Sequence, residues 1–203
     1  MGEPRPAGGP PDRDFEEAGD LLAVQETLRG NRNAFAAVVE RYSPLLYSLA
    51  FRMLGHPDEA EEAVQEIFLR AFRGLAGFRL GRRFHPWLYT IALNYLRSRV
   101  RRRHRLRRTA PLEFSEELQA VTPDESAKDP GLRAEREEGE RLAQKVLERL
   151  SPTYRVVFVL RQIEGLSVRD AAEVLGIPEG TVKVRLHRAR LELVRQLAIS
   201  GWA

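Results

Sequence analysis

Cationic and hydrogen-bonding side chains recur along one side of a predicted helix that follows Pro178. Arginine and lysine donate to guanine O6 and N7 in the major groove of DNA, an exposed valine contacts a thymine methyl group, and threonine contacts phosphates. At about 100° per residue, these side chains lie opposite an apolar stripe. The stripe is Val182, Leu186, Ala189, Leu193 and Leu197. The candidate DNA-binding residues are Thr181, Lys183, Val184, Arg185, His187 and Arg188. The alternative is a surface helix with an ordinary cationic face, and an exposed valine beside paired cations favours DNA.

A helix-turn-helix is predicted for the segment that carries this helix. Ser167 and Asp170 match a capping box, in which the serine hydroxyl and the aspartate carboxylate bond free amides at a helix start. Gly176 can take the left-handed conformation that ends such a helix, and Pro178 can open the next one. A short helix, a tight turn and a longer helix therefore follow one another. In DNA-binding proteins of this type the longer helix enters the major groove.

A second cationic surface is predicted between residues 78 and 101, where arginines stand beside aromatic and amide side chains. This mixture suits single-stranded nucleic acid, because cations hold phosphates while aromatic rings stack on unpaired bases. We expect the loop from Phe78 to Phe84 to hold a base, with Arg97 and Arg101 on the adjacent phosphates. For Trp87, burial beside a solvated arginine face is the alternative. The candidate residues are Phe78, Arg79, Arg82, Arg83, Phe84, Trp87, Asn94, Arg97 and Arg101.

An acidic face is predicted on the helix that follows Pro57. Its apolar residues recur at helical spacing and should face inward, whereas the opposite stripe is Asp58, Glu62, Gln65 and Leu69. An outward leucine among acids indicates a docking surface for another protein. A solvated acidic face with one stray leucine is the alternative, since exposed leucines are common. A metal site built from Asp58, Glu61, Glu62 and Glu66 is conceivable, although helical carboxylates without a spaced histidine are usually solvated.

The elements that position these residues are helices, because no stretch alternates polar and apolar residues with period two. We predict an all-α fold of two small helical domains joined by a flexible linker, the C-terminal one a helix-turn-helix. Pro44 should kink or split the helix that runs from Asn33 to Leu54. The predicted parts are a disordered N-terminal tail at 1–19, a first domain at 20–106, a linker at 107–131 and a second domain at 132–203.

Composition excludes several classes of protein. The 203 residues include 33 Lys and Arg against 29 Asp and Glu, and the cations concentrate between Arg97 and Arg108. There is no cysteine, which excludes disulfides, thiolate nucleophiles and Cys-based zinc sites. The 4 histidines are scattered, so we expect no catalytic residue, metal or cofactor. No apolar run is long enough to span a membrane, and the N terminus lacks a signal-peptide core, so we expect a cytoplasmic protein without membrane insertion.

Three segments of the chain occur together in a characteristic order: DEAEEAVQEIFLRAF, then FHPWLYTIALNYLRSRVRRR, then LSVRDAAEVLGIPEGTVKVRLHRARLEL. In this combination they resemble the extracytoplasmic-function (ECF) sigma factors of bacterial RNA polymerase, and with their flanks they cover nearly all of residues 20–198. The resemblance implies a region 2 domain at 20–106 that binds core polymerase and opens the minus-ten promoter element. It implies a region 4 domain at 132–203 that reads the minus-thirty-five element.

The resemblance also implies partners. The β′ clamp helices of core polymerase are the expected partner of Asp58, Glu62, Gln65, Glu66 and Leu69, and the β flap is a second expected contact. Melted minus-ten DNA is the expected ligand of Asn94 and the loop at 77–84. Duplex minus-thirty-five DNA is the expected ligand of Lys183, Val184, His187 and Arg188. A further partner that the resemblance implies is an anti-sigma factor, because the free factor would otherwise compete continuously for polymerase.

Two functions of other classes remain open at this point. A helix-turn-helix regulator that acts without polymerase would need a ligand-binding or receiver domain, which the N-terminal half does not resemble. A nucleic-acid-processing enzyme would need a nucleophile, a base and a metal in one arrangement, which the residue types do not provide. Co-purification with core RNA polymerase would distinguish a sigma factor from both.

Overall fold

The computed structural model describes residues 13–109 and 130–199 of the chain. Within these ranges the regular secondary structure is helical and contains no strand, which confirms the all-α prediction. The α-helices are α1 (Arg13–Leu28), α2 (Phe35–Leu54), α3 (Pro57–Gly74), α4 (Phe84–Thr109), α5 (Pro130–Arg149), α6 (Pro152–Phe158), α7 (Val168–Leu175) and α8 (Glu179–Ile199). No helix in these two ranges is both long and apolar enough to cross a membrane.

The N-terminal helices enclose a core to which α2, α3 and α4 each contribute an apolar face. Leu46 and Leu49 of α2, Ile67 of α3, and Leu88 and Leu93 of α4 are fully buried. Removing such side chains from water supplies about 1.5–3 kcal/mol each. This core fixes α3 and α4 side by side, and the exposed sides of both helices carry predicted functional residues.

α2 is continuous through Pro44, so the proline does not split the helix. Proline cannot donate the usual backbone hydrogen bond, and its ring disturbs the preceding turn. Here the ring is exposed, while Tyr42 and Leu46 on either side are buried in the core. Packing on both sides therefore holds the helix together across this position.

α1 begins earlier than the sequence predicted. Residues 13–19 are helical, so a disordered tail extending to residue 19 is wrong for this part, while residues 1–12 lie outside the described residues. The anchor is Asp20, which is 0% exposed, forms an ion pair with Arg41 and accepts a hydrogen bond from the Tyr42 hydroxyl at 2.5 Å. A buried carboxylate is tolerated because it is paired and hydrogen-bonded.

The predicted linker at 107–131 differs from the structure at both ends. α4 continues to Thr109 and α5 begins at Pro130. The remainder of the predicted linker, residues 110–129, lies outside the described residues.

The C-terminal helices form the predicted helix-turn-helix. Ser167 Oγ accepts a hydrogen bond from the Asp170 amide at 3.0 Å, and α7 ends at Gly176, whose φ is 64°. The predicted core stripe of α8 is buried at Val182, Leu186 and Ala189 and half-buried at Leu193. Leu197, predicted on the same stripe, is 37% exposed, because the apolar cluster around Ala189 ends at Leu193.

The two sets of helices pack directly on each other, a contact that the sequence did not predict. Val157, Leu160 and Leu166 belong to the same buried cluster as Leu46 and Leu49 of α2. Two hydrogen bonds to carbonyl oxygens at the end of α2 cross the boundary, from Gln144 to Phe51 and from Arg155 to Met53, each at 3.3 Å. The N-terminal and C-terminal sets of helices thus share one core.

Candidate nucleic-acid interface

The start of α8 presents the predicted major-groove residues to solvent. Lys183, His187 and Arg188 are exposed, and Val184 is 52% exposed. An exposed valine between cations can contact a thymine methyl group, and this contact removes the apolar surface of both groups from water. Thr181 and Arg185, four residues apart on the same helix, are half-buried.

An open groove of about 690 Å³ runs between α8 and the start of α6. Val184, Arg185 and Arg188 line it from α8. The opposite wall is formed by Ser151, Thr153 and Tyr154, which the sequence reasoning did not single out. Their hydroxyl groups are of the type that contacts DNA phosphates. The available signal was the Ser151-Pro152 cap, since Ser151 Oγ does accept a hydrogen bond from the Tyr154 amide at 3.4 Å.

The aromatic ends of the loop at 78–84 are not available for base stacking. Phe78 is 6% exposed and Phe84 is 0% exposed. Their rings pack edge-on with centroids 5.6 Å apart, and Trp87 lies 5.1 Å from Phe78 and 5.4 Å from Phe84. The prediction that Phe78 and Phe84 hold a base is therefore corrected. Burial of these aromatic rings in the core is more favourable in free energy than their exposure to solvent, so the two rings anchor the loop.

The tip of the loop carries the exposed groups. Arg79, Leu80, Gly81 and Arg82 are exposed, and a turn is closed by a hydrogen bond from the Arg82 amide to the Arg79 carbonyl at 2.9 Å. Arg83 differs from its neighbours because it is already paired. Its Nη2 lies 2.5 Å from Asp170 Oδ1 and donates to Glu173 Oε2 at 3.0 Å, both on α7.

The pKa values of this ion pair reflect competition between burial and charge. Burial tends to lower the pKa of Arg83, but the carboxylates of Asp170 and Glu173 outweigh it and raise the pKa. Burial likewise opposes ionisation of Asp170, yet hydrogen bonds from Ser167 and Arg83 lower its pKa. Both groups are therefore charged at neutral pH.

The exposed face of α4 carries the remaining minus-ten candidates. Asn94 and Arg101 are exposed, and Trp87 and Arg97 are half-buried. Burial lowers the pKa of the Arg97 guanidinium, and the positive charges of Arg101 and Arg185 lower it further. Arg185 belongs to α8, so cations of both predicted DNA surfaces lie close together in this arrangement.

The outer stripe of α3 is exposed as predicted. Asp58, Glu62 and Gln65 face solvent, and Leu69 is 50% exposed. Glu62 accepts two hydrogen bonds from Arg99 of α4, at 2.9 and 3.2 Å. Such an exposed pair contributes about 0–1 kcal/mol, so a cationic partner can displace it at little cost.

Two further side chains on α3 complete this surface. Glu66 is half-buried and pairs with Arg70 at 2.6 Å. Phe72 was not singled out from the sequence, yet it is 37% exposed, with its ring 5.3 Å from that of Phe35. In the described part of the chain, no group of acidic and histidine side chains is arranged to hold a metal ion, and the alternative of a metal site on α3 gains no support.

Comparison with known proteins relates these surfaces to a family. The family model "Sigma-70 region 2" matches residues 38–106, from α2 into α4, and "Sigma-70, region 4" matches residues 140–193, from α5 to α8. The ECF RNA polymerase sigma factor SigW of Bacillus subtilis is 35% identical over 183 residues, covering 86% of this chain and 94% of SigW. The chain belongs to the ECF sigma factors of RNA polymerase. Membership implies DNA binding, promoter recognition and a role in transcription initiation.

Other relatives of this ECF sigma factor agree in sequence and in fold. The RNA polymerase sigma-H factor of Pseudomonas aeruginosa is 32% identical over 174 residues, 84% of this chain and 90% of that protein. CnrH, solved in complex with the cytosolic domain of CnrY, matches with a TM-score of 0.65 and 30% identity over 89% of this chain and 98% of CnrH. RpoE of Bartonella quintana, solved with the anti-sigma factor NepR, has a TM-score of 0.63 and 27% identity over 84% of this chain and 98% of RpoE.

Proposed function

We propose that this ECF sigma factor binds core RNA polymerase, reads the minus-thirty-five and minus-ten promoter elements, and opens the promoter by capturing melted bases. The observation that carries the proposal is that one chain matches both Sigma-70 region 2 and region 4, and that each matched part exposes cationic side chains of the type that contacts DNA. The role is non-catalytic, since binding energy alone stabilises the separated strands. Its place of action is the cytoplasm, where core polymerase works.

Core binding is assigned to two surfaces. The stripe of Asp58, Glu62, Gln65, Glu66 and Leu69 on α3 contacts the β′ clamp helices, with charge for steering and the exposed leucine for apolar contact. The β flap contacts the far end of α8. That assignment is supported by Leu191, Val194 and Leu197, which are 58%, 66% and 37% exposed on this end of the helix.

The start of α8 reads the minus-thirty-five element. Lys183 and Arg188 donate to guanine, Val184 contacts a thymine methyl group, and Thr181 and Arg185 hold flanking phosphates. His187 lies between them on the exposed face. The groove beside this surface leaves room for the DNA backbone next to Ser151 and Thr153.

Melted minus-ten DNA binds the loop tip and the exposed face of α4. Arg79 and Arg82 supply cations, Asn94 supplies donors and acceptors for a base edge, and Arg97 and Arg101 hold phosphates. The anchored rings of Phe78, Phe84 and Trp87 keep the loop in position for this contact. Capture offsets the few kcal/mol that unstacking a base costs.

An anti-sigma factor is a further proposed partner. Two solved relatives, CnrH and RpoE, were solved in complex with the cytosolic domain of CnrY and with the anti-sigma factor NepR respectively. Their likeness to this chain extends over both helical domains, which supports a protein inhibitor of the same general kind here.

Permanganate footprinting of unpaired thymines, with core polymerase and a promoter selected from a library by run-off transcription, tests the capture of melted DNA. Asn94→Ala should abolish reactivity on duplex templates and recover it partly on templates with a pre-melted minus-ten bubble. Arg73→Ala, an exposed cation at the end of α3, is the control and should leave both reactions unchanged. Full reactivity of Asn94→Ala on duplex DNA would place melting elsewhere.

A further inference from the structure

The N terminus of α4 has no capping side chain in the residue that precedes it. The first amides of an α-helix have no partner within the helix, and a side-chain oxygen of the preceding residue commonly accepts from them. Here the preceding residue is Arg83, whose guanidinium has donors only. Pro86 in the first turn has no amide hydrogen, so Phe84 and His85 carry the first two free donors. These two amides need an acceptor from another part of the chain.

Glu17 of α1 supplies this acceptor. Its carboxylate accepts a hydrogen bond from the Phe84 amide, which is 67 residues away in the sequence. Hydrogen bonds from the Phe84 and His85 amides lower the pKa of Glu17, although burial outweighs them and raises it. A carboxylate also interacts favourably with the positive end of the helix dipole. Glu17 therefore caps α4 from a different helix.

A second acidic side chain of α1 fixes Glu17 in this place. Asp20 lies three residues further along, on the same face of α1, and is bonded to Arg41 and Tyr42 of α2. The Tyr42 ring in turn packs edge-on against the Phe84 ring, with the centroids 6.0 Å apart. One side of α1 thus joins α2 to the first residue of α4.

The capped residue is also an anchor of the loop at 78–84. Phe84 is 0% exposed, and its ring contacts those of Phe78 and Trp87. The exposed cations of the loop tip are therefore attached to the protein through the first turn of α4. Without a cap, the first turn of a helix is less stable, and here its fraying would release one end of the loop.

We propose that Glu17 is a positioning residue for promoter opening, because its cap on α4 holds Phe84 and thereby the loop at 78–84 that meets melted minus-ten DNA. The inference rests on the proposed function for the identity of that DNA. It extends the function to α1, which precedes the residues 38–106 that match Sigma-70 region 2. The hydrogen bond provides the positioning rather than the negative charge, since burial opposes the charge.

Three variants of Glu17 separate the hydrogen bond from the charge. Glu17→Gln keeps an acceptor oxygen without the charge, Glu17→Asp keeps the charge on a side chain one methylene shorter, and Glu17→Ala removes both. The matched control is Glu26→Ala, because Glu26 is a half-buried glutamate of the same helix that pairs with Arg29. Thermal unfolding verifies that each variant is folded at the assay temperature, and Glu17→Asp carries the test where Glu17→Ala does not fold.

Promoter opening is measured by run-off transcription with core polymerase, on duplex templates and on templates with a pre-melted minus-ten bubble. Loss of a helix cap should lower the yield on duplex templates about fivefold in Glu17→Ala and Glu17→Asp. The yield of both variants should fall less on pre-melted templates, where no base has to be unstacked from a duplex. Glu17→Gln and Glu26→Ala should match wild type on both templates.

The position of the loop is measured in the full chain, without polymerase or DNA, by tryptophan fluorescence. The chain has 2 tryptophans, so a Trp202→Phe background leaves Trp87 as the single reporter. Trp87 packs on Phe78 and Phe84 at the two ends of the loop, and its emission shifts to longer wavelength when the indole gains exposure. Glu17→Ala and Glu17→Asp should show this shift, whereas Glu17→Gln should not.

The outcomes separate the positioning role from the proposed function. Transcription by wild type, with unchanged yield and emission in Glu17→Ala and Glu17→Asp, would overturn the positioning role and support the function. Failure of Glu17→Gln to restore the yield, or an equal loss in Glu26→Ala, would also overturn the positioning role. No transcription by wild type from any library promoter would overturn the function. In that case, an emission shift confined to Glu17→Ala and Glu17→Asp would still support the cap as the anchor of the loop, and its absence would overturn it.

Discussion

Arg188 and Lys183 are both exposed in the first half of α8, five residues apart. We expect both side chains to contact base edges. Arg188→Ala should reduce the ratio of affinities for specific and scrambled minus-thirty-five duplexes. A bidentate base contact contributes about 1–3 kcal/mol of discrimination, which corresponds to about 5- to 150-fold. Lys183→Ala should act in the same direction. Electrophoretic mobility shift with both duplexes measures the ratio.

Arg195→Ala is the control for that experiment. Arg195 is an exposed cation of the same helix, but it pairs with Glu192 at 2.9 Å near the opposite end. Its loss should leave the specificity ratio unchanged. A wild-type ratio in Arg188→Ala would remove Arg188 from the major groove.

The Glu17 carboxyl gives a prediction about how the stability of the fold depends on pH. Burial raises the pKa of this carboxyl, although the Phe84 amide, which donates a hydrogen bond to it, opposes the shift. An acid with a higher pKa in the folded state binds more protons folded than unfolded, so stability falls as pH rises above the unfolded pKa of about 4.3. Glu17→Gln keeps the acceptor and removes the buried charge. It should raise Tm at pH 7, by less than about 4 °C.

The measurement for Glu17 is thermal unfolding by circular dichroism at pH 5 and pH 7. Wild type should gain stability between pH 7 and pH 5 relative to Glu17→Gln, because only wild type takes up this proton. Glu26→Gln, at a half-buried residue of the same helix that pairs with Arg29, should follow wild type. A lower Tm for Glu17→Gln at pH 7 would show that the charge is favourable.

Among the helices, α3 allows polymerase docking to be tested without disturbing the fold, because its docking residues and its core residues lie on opposite sides. Glu62→Arg combined with Leu69→Ala reverses a charge and removes an exposed apolar contact, while the buried side of the helix is unchanged. Affinity for core polymerase should fall about tenfold or more, since such contacts at an interface centre exceed 1 kcal/mol. Titration of labelled core polymerase measures it, with circular dichroism to verify the fold.

Glu61→Arg is the matched control on α3. Glu61 is exposed on the same helix but lies outside the stripe. It changes the net charge of the helix by the same amount, so nonspecific electrostatics would weaken binding in both variants. Equal loss in the two, or none in the stripe variant, would contradict docking by this face.

Elements with strong local signals were predictable from the sequence. The caps at Ser167 and Gly176 and the apolar spacing of α3 each depend on residues within a few positions of one another, so local pattern fixes them. The loop from Phe78 to Phe84 shows the limit. Its aromatic rings are equally consistent with a base platform and with a core, and only the packing against Trp87 decides between them.

Most of the side-chain contacts that could not be predicted from the sequence are charge pairs between residues far apart along the chain. Asp170 was predicted to cap its own helix with its carboxylate, yet that carboxylate lies against Arg83, whose position in the sequence is far away. Asp20 was not singled out from the sequence, yet it is buried and bonded to Arg41 and Tyr42. Neither pairing has a periodicity that a single sequence displays.

For the whole molecule, the shared core predicts cooperative unfolding of both domains. Leu160, which is 0% exposed, belongs to the cluster that also contains Leu46 of α2. Leu160→Ala should cost about 2–5 kcal/mol and lower the temperature of a single calorimetric transition. Hydrogen exchange should show reduced protection in α4 as well as in the helix-turn-helix domain.

Leu191→Ala is the comparison for that experiment, because Leu191 is 58% exposed on α8 and its truncation should change stability by less than about 0.5 kcal/mol. Two separate thermal transitions in wild type, or unchanged protection of α4 in Leu160→Ala, would contradict a core shared by the two domains.

The π-helical turn at Val159–Ile163 determines the direction in which the side chains after it point, relative to those before it. In this turn the Glu164 amide bonds the Val159 carbonyl at 2.9 Å, a spacing one residue longer than in an α-helix. Each residue of an α-helix advances the chain by about 100°. The Glu164 carboxylate accepts hydrogen bonds from the hydroxyls of Ser48 and Tyr89 at 2.9 and 3.0 Å. Deleting a single residue here would rotate Glu164 away from both while leaving composition and charge nearly unchanged. This short segment is therefore more sensitive to a change in length than to a change in residue type.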